Sequence, residues 1–359
     1  MPNNKVALIC DTHFGMRGDL TSLHPYLDKF YNDVFFPTLD RLDIDHIIHL
    51  GDLVDRRKFI NFITANHLDS TFIRPLLKRG ITMDVMVGNH DCPFKNSNKF
   101  NAIETLYDNV KGINIYTSPK EVDVKGFPIL YIPWVCSENV AATMEAIQGA
   151  RAQIALGHLE LTGFEMYRGS VCEKGMDAAP LNKFDLVCSG HFHHKSTIGN
   201  INYLGAPYEM IWSDFNDPRG FHILDLDTRQ LEFVQNPYSL FHKVFYDDVT
   251  VSMEDLLGQD FSNYNGTYVK VIVKQKSNHS LFDTFIDRLE KSNPIDVQVV
   301  EDHLNLDLED DQEIVDEAED TLTILNKFVD TLNIKSDKAV VKQVIQELYN
   351  EASNMEVVW

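Results

Sequence analysis

Six short apolar runs punctuate the first 190 residues, and the side chains that follow them restrict the chain more than any other feature. KVALIC (5–10), HIIHL (46–50), TMDVMV (82–87), PILYI (128–132), QIAL (153–156) and FDLVC (184–188) have the length and content of buried strands. Helical periodicity fills residues 20–36 and 63–78, so the first third reads β-α-β-α-β. That alternation predicts a parallel sheet, whose functional loops lie at the carboxyl ends of the strands. Asp11 and His13 follow the first run; Gly51, Asp52, Asp55 and Arg56 the second; Gly88, Asn89, His90 and Asp91 the third. Gly157 and His158 follow the fifth, and Gly190, His191 and His193 the sixth. One such cluster is ordinary turn chemistry. Five in succession, expected at one edge of one sheet, ask for a common purpose.

Metal chemistry supplies one. Two divalent cations roughly 3.5–4 Å apart can clamp a phosphate and activate a water, provided that one carboxylate bridges them. Asp52 is the natural bridge. Imidazole, carboxylate and carboxamide donors suit Mn, Fe or Zn better than Ca, and the absence of thiolates disfavours a structural zinc. The five cysteines form no CxxC pair and read as reduced thiols. In an extended stretch His191 and His193 point the same way and Phe192 the other, so the two imidazoles read as ligands and Phe192 as packing. His194 reads as polar loop.

Farther along, TIGNINYLG, GFHILDLDT and QLEFVQN are strands with tight connections, which predicts a more antiparallel second half. From residue 242 the pattern restarts with HKVFYDDV, YVKVIVKQ, a helix at SLFDTFIDRLEKS and PIDVQVVE, a small α+β unit. The expected organisation is a main α/β domain over 1–238, the small unit over 239–303, an acidic linker over 304–320 and a helical tail over 321–359. In the tail, Leu325, Phe328, Val329 and Leu332, then Val341, Val344, Ile345 and Leu348, mark two short amphipathic helices. The net charge of −22 argues against a nucleic-acid partner, but residues 301–320 hold eleven acidic and no Lys or Arg side chains, half of that charge. Basic residues cluster just after the metal motifs: Arg17, then Arg56, Arg57 and Lys58, then Lys95 and Lys99, then Lys195. They predict a basic rim for DNA around the site. No apolar run approaches the ~20 residues of a membrane span and the first residues lack a signal-peptide layout, so a soluble cytoplasmic protein is expected.

The order DxH, GDxxDR, GNHD, GH, GHxH resembles that of the calcineurin-like metallophosphoesterases. IPW (132–134), GHLELTGF (157–164), SGHFHH, YLGAP (203–207) and NDPRGF (216–221) are similar to the SbcD-type double-strand-break repair nucleases, including those of T-even-like bacteriophages; the likeness spans residues 5–236. The resemblance implies a mixed α/β fold: a β-sandwich flanked by helices, with a small α+β capping domain. It implies one metal held by Asp11, His13, Asp52 and His193 and a second by Asp52, Asn89, His158 and His191, with Mn²⁺ favoured and Mg²⁺ the alternative. His90 would stay off the metals as general acid or charge stabiliser. Where archaeal and eukaryotic relatives have His, this chain has Asp55, which would orient His90 and keep it protonated. The implied activity is that of a DNA exo- and endonuclease in double-strand-break repair and recombination-dependent replication, within the host cytoplasm if phage-encoded. The implied partners are an SMC-like coiled-coil ATPase of the SbcC type, gripped by the C-terminal helices, and a second copy met through helices 20–36 and 63–78. Two alternatives remain. GDLVDRR resembles the GDxVDRG of Ser/Thr protein phosphatases, in which Arg56 would hold the phosphoryl group, although Gly is missing after Arg56 and GNHD replaces GNHE. The other is a non-catalytic scaffold for the ATPase.

Overall fold

The computed structural model describes residues 3–301, together with Lys338, Val341, Lys342 and Val344. The expected acidic linker and nearly all of the expected helical tail lie outside the described residues. No helix among the described residues is long and apolar enough to cross a membrane.

Two six-stranded sheets face one another. The first runs Leu231–Gln235, Gly220–Asp225, Lys5–Ile9, His46–His49, Thr82–Met86, Ile113–Tyr116. Its last four strands are parallel, with Ala7 opposite Ile47, Ile47 opposite Met83 and Met83 opposite Ile113, as the βαβ alternation requires. The second sheet runs Ser196–Ile198, Ile201–Tyr203, Leu186–Gly190, Ile154–His158, Phe127–Ile132, Lys120–Val124. Its four middle strands pair in parallel. The strands expected to be antiparallel are so: 196–198 with 201–203 and 220–225 with 231–235, and Gly220–Asp225 also runs antiparallel to Lys5–Ile9. The helix Val140–Gly149 and the long segment from Leu159 to Asp185 provide the crossovers that parallel neighbours need.

Period-two alternation builds the core between the sheets. Val6, Leu8, Cys10, Ile48, Leu50 and Met86 from the first sheet meet Ile129, Tyr131, Ile154, Leu156, Leu186 and Cys188 from the second. The other face of the second sheet packs Leu130, Ala155 and Val187 against Ile147 and Leu181. The first sheet's outer face is covered by helical residues 24–41 and 62–78, which bury Phe30, Tyr31, Phe35, Leu68 and Phe72. Each of these helices contains a π-turn, Tyr31–Phe35 and Asp69–Ile73, two residues before Pro37 and Pro75. A proline removes one backbone donor and crowds the carbonyl four residues back, and the wider turn gives that carbonyl room. Residues 241–301 form a third sheet of three parallel strands, Phe241–Asp247, Tyr268–Gln275 and Asp296–Glu301. Helices Met253–Gly258 and His279–Glu290 link them over a separate core of Val244, Tyr246, Leu256, Val271, Phe285 and Leu289.

Candidate metal centre

The five motifs converge, but not on one sheet. Asp11, Asp52 and Asn89 follow strands of the first sheet, whereas His158 and His191 end strands of the second. The chain changes sheets after Tyr116 through the edge hairpin 120–132, which carries no compositional mark. Parity then does the positioning. Ile154, Leu156 and His158 share the inner face, so His158 reaches across and its Nδ1 donates to the Leu50 carbonyl at 2.8 Å.

Close approach of the two sheets' ends explains the glycines. At Gly51, φ is +101° and a Cβ would lie 2.6 Å from His158 Nδ1; at Gly88 a Cβ would lie 2.2 Å from Asp52 Oδ1. Asp11, His13, Asp52 and His191 themselves adopt positive φ, a conformation that costs on the order of 1–3 kcal/mol in a non-glycine residue. Interloop bonds hold them there. Asp11 N donates to Gly51 O at 3.0 Å, His13 N to Asp52 O at 3.1 Å, Asp52 N to Asp91 Oδ2 at 2.9 Å, and His191 N to Asp11 at 3.1 Å.

Three overlapping donor groups result. Asp11, His13 and His193 offer atoms within 4.8 Å of one another, as do His13, Asp52 and His90, and Asp52, His158 and His191, with the Asp52 carboxylate shared by the last two. His13 Nε2 faces His193 Nε2 at 3.1 Å, while Asn89 Oδ1 lies 2.9 Å from both His158 Nε2 and His191 Nδ1. Asp52 Oδ2 stands 3.6 Å from His13 Nε2 and 3.4 Å from His158 Nε2; its other oxygen accepts the His90 backbone N–H at 2.7 Å.

The donor set fits cations. Burial alone would lower His13 and His158, yet the carboxylates around them, Asp55 and Asp52 for His13 and Asp52 for His158, raise both to about 9. Burial would raise Asp52, but His158 and His13 hold it well below the usual carboxylate range. The pocket therefore demands positive charge at its centre, which the imidazoles supply in part and divalent ions would supply in full. His158 gives its Nδ1–H to Leu50, which leaves Nε2 as the nitrogen that faces the cluster and that a cation would engage on displacing its proton.

Asp55 departs from expectation. His90 Nδ1 does turn to it, at 2.6 Å, but to the backbone carbonyl. The Asp55 carboxylate lies instead 3.3 Å from His13 Nδ1, close enough to pair though off hydrogen-bond alignment. His90 is lowered by burial and by His13, against the opposing pull of Asp52 and Asp55.

Three further residues support the cluster without having been assigned a role from the sequence. The Asp91 carboxylate accepts from Asp52 N, Val54 N and Gly88 N, tying the second and third motif loops together; burial and Asp52 push it up to about 7. His49, lowered by burial to about 3, stays neutral, accepts from Gly51 N and donates to Thr12 Oγ1. Arg219 of the NDPRGF stretch donates to the His193 carbonyl and pairs with Asp214 and Asp217 at 2.8 Å. His194, expected to be plain loop, shares Asp217 at 2.9 Å.

The basic residues divide. The Arg17 guanidinium stacks on Tyr268 at 4.5 Å, Arg56 pairs with Asp19 at 3.2 Å, and Lys99 pairs with Glu138. Arg57 is half-buried, Lys58, Lys95 and Lys195 are exposed, and Lys195 lies 4.8 Å over the Phe233 ring.

Comparison with known proteins follows the same lines. The family model for calcineurin-like phosphoesterase matches residues 5–195. Exonuclease subunit 1 of Enterobacteria phage T4 is 31% identical over 310 residues, 85% of this chain and 87% of that protein. The SbcD component of the SbcCD nuclease of Staphylococcus epidermidis is 24% identical over 233 residues, 56% of this chain and 61% of its own length. A solved archaeal phosphodiesterase aligns with 65% of this chain at a TM-score of 0.33 and 11% identity.

Proposed function

The chain belongs to the calcineurin-like phosphoesterases, hydrolases of phosphate esters, and we propose that it is a two-metal DNA nuclease. The observation that carries this reading is the Asp52 carboxylate standing between two imidazole groups, 3.6 and 3.4 Å from each. Asp11, His13, Asp52 and His193 would hold one ion, and Asp52, Asn89, His158 and His191 the other; Mn²⁺ suits this nitrogen and oxygen set, with Mg²⁺ the alternative. The pair of ions supplies charge to the phosphate and acidifies a water. His90, its Nδ1–H fixed on the Asp55 carbonyl, would present Nε2 to the reacting phosphate and, in its imidazolium form, give the Nε2 proton to the leaving oxygen and return to the neutral ring. A protein-phosphatase-like role for Arg56 is disfavoured by its engagement with Asp19 and its position 4.9 Å over the Phe59 ring.

Mn²⁺-dependent cleavage of bis-p-nitrophenyl phosphate and of linear DNA tests the reading, with p-nitrophenyl phosphate as the monoester control. Turnover of the monoester alone would replace it with the phosphatase reading. Replacing Arg57, Lys58 and Lys95 by Ala should weaken DNA binding and reduce its logarithmic salt slope by about 0.9 for each phosphate no longer neutralised, while diester turnover holds. An unaltered slope would return these side chains to ordinary solvated loops.

Two assemblies belong to the same proposal. One relative is named as a subunit of SbcCD, and the amphipathic spacing after residue 320 supports an SMC-like ATPase as the partner of the tail, in double-strand-break repair and recombination-dependent replication. For a homodimer, the faces of helices 24–41 and 62–78 that carry Phe30, Tyr31, Leu68 and Phe72 are spent on the chain's own core. The apolar surface that supports pairing lies at and before the start of the second helix: Phe62, 92% exposed, its neighbour Ile63 and Phe59, which lines one pocket with the exposed Phe100. Sedimentation velocity should give the mass of two copies, falling to one in a Phe62→Asp, Phe100→Asp variant, and a chain ending at residue 320 should no longer join the ATPase. A wild-type monomer, or a truncated chain that still binds, would remove the respective assembly.

A further inference from the structure

We infer that Glu160 is a positioning residue for this centre, whose carboxylate selects the tautomer of His191 that can act as a ligand. The inference rests on the ligand reading just given. His191 is walled by two rings, Trp134 at 5.1 Å and 47° and Phe192 at 5.1 Å and 35°, so its plane is set and the place of its single proton is what remains to be decided. Two oxygens compete for that proton. Asn89 Oδ1 lies 2.9 Å from Nδ1, and Glu160 Oε2 lies 3.4 Å from Nε2.

The outcomes differ chemically. With the proton on Nδ1 it is spent on Asn89, and the ring's lone pair points away from Asp52 and His158. With the proton on Nε2 it is given to Glu160, and the Nδ1 lone pair faces the donor cluster. Asn89 has the shorter contact but is a neutral amide, whereas Glu160 brings a carboxylate to the other nitrogen. Bonds to an ionised acceptor are about twice as strong as neutral ones, which tips the competition toward Nε2–H. The same device serves the neighbouring rings. His158 gives its outer nitrogen to the Leu50 carbonyl, and His13 turns its outer nitrogen to Asp55. Glu160 completes the set, two residues beyond His158 in the chain but acting on a ring from the next strand.

The test uses the full chain with Glu160→Ala and Glu160→Gln. Long-range proton–nitrogen spectra of metal-free protein with labelled histidine, taken at about pH 8 where an ordinary imidazole is neutral, report the tautomer. Mn²⁺ titration calorimetry reports each site. The expected result is a proton on Nε2 of His191 in the native chain, moved to Nδ1 in Glu160→Ala, with one Mn²⁺ bound about 10-fold more weakly and the other unchanged. Glu160→Gln should fail to recover the loss, since a neutral amide oxygen farther off than Asn89 Oδ1 lacks the charge that decides the competition. An unmoved tautomer with both affinities intact would overturn the assignment, and so would equal loss at both sites with a lowered Tm. A native chain that binds two Mn²⁺ with Nε2–H on His191, yet leaves DNA uncut, would end the nuclease reading and leave this one standing.

Discussion

Asp52→Asn lowers diester cleavage by about a thousandfold or more and weakens both metal ions together. The substitution is nearly isosteric, and an amide oxygen can still accept the His90 N–H that Asp52 Oδ1 receives at 2.7 Å. What disappears is the charge between His13 and His158, which lifts His158 to about 9 and, together with Asp55, lifts His13 to about the same value. Transition-state stabilisation by bound cations amounts to several kcal/mol, and each 1.36 kcal/mol is a decade in rate, so loss of both ions costs about three decades. Calorimetry with Mn²⁺ beside a rate assay checks this. Full affinity retained at one site would mean that Asp52 belongs to the other alone.

His90→Asn should cost at least about a hundredfold in rate while two ions stay bound, within the range usual for a lost proton-transfer group. The His90 contact to Asp52 runs through the main chain and survives the change, so the donor cluster is not disturbed. Asp55→Asn separates the two functions of that neighbour. Its carbonyl still receives Nδ1 of His90, whereas the carboxylate beside His13 is gone. The expected loss is therefore in affinity for the ion at His13, with His90 still in place. Metal stoichiometry measured with single-turnover rates resolves the pair, and a His90→Asn protein lacking an ion would reverse the division of roles.

Much of the centre was legible because its residue types are chemically narrow. Aspartate, histidine and asparagine after successive apolar runs leave few purposes other than binding cations, and the first-sheet strands followed from β-α alternation. The second sheet followed from the family resemblance and not from the pattern of the residues, which placed all five motifs on one sheet. Whether the strand ending at His158 extends the first sheet or faces it depends on the edge hairpin 120–132, where pairing partners and not composition decide. The role of Asp55 was misread for a related reason: its contact to His90 is made by a carbonyl that any residue carries. Arg17, Arg56 and Lys99 looked available for phosphate because their partners, Tyr268, Asp19 and Glu138, lie elsewhere in the sequence or within an unremarkable loop. Arg219, by contrast, sat in the NDPRGF stretch, whose purpose needed the fold to show it.

The contacts that close the donor cluster span most of the domain: His191 N meets Asp11, and His13 meets His193, each across 180 positions. Ribosomes extend chains at roughly 5–20 residues per second, so about 10–40 seconds separate the emergence of the first donor from that of the last. During that interval the early βαβ segment can fold on local contacts, while the costly long loop must wait for its closing strands. A nascent or prematurely ended chain thus holds only part of the donor set, Asp11, His13, Asp52 and Asn89 without the second sheet's histidines, and the cluster cannot close before the domain is whole.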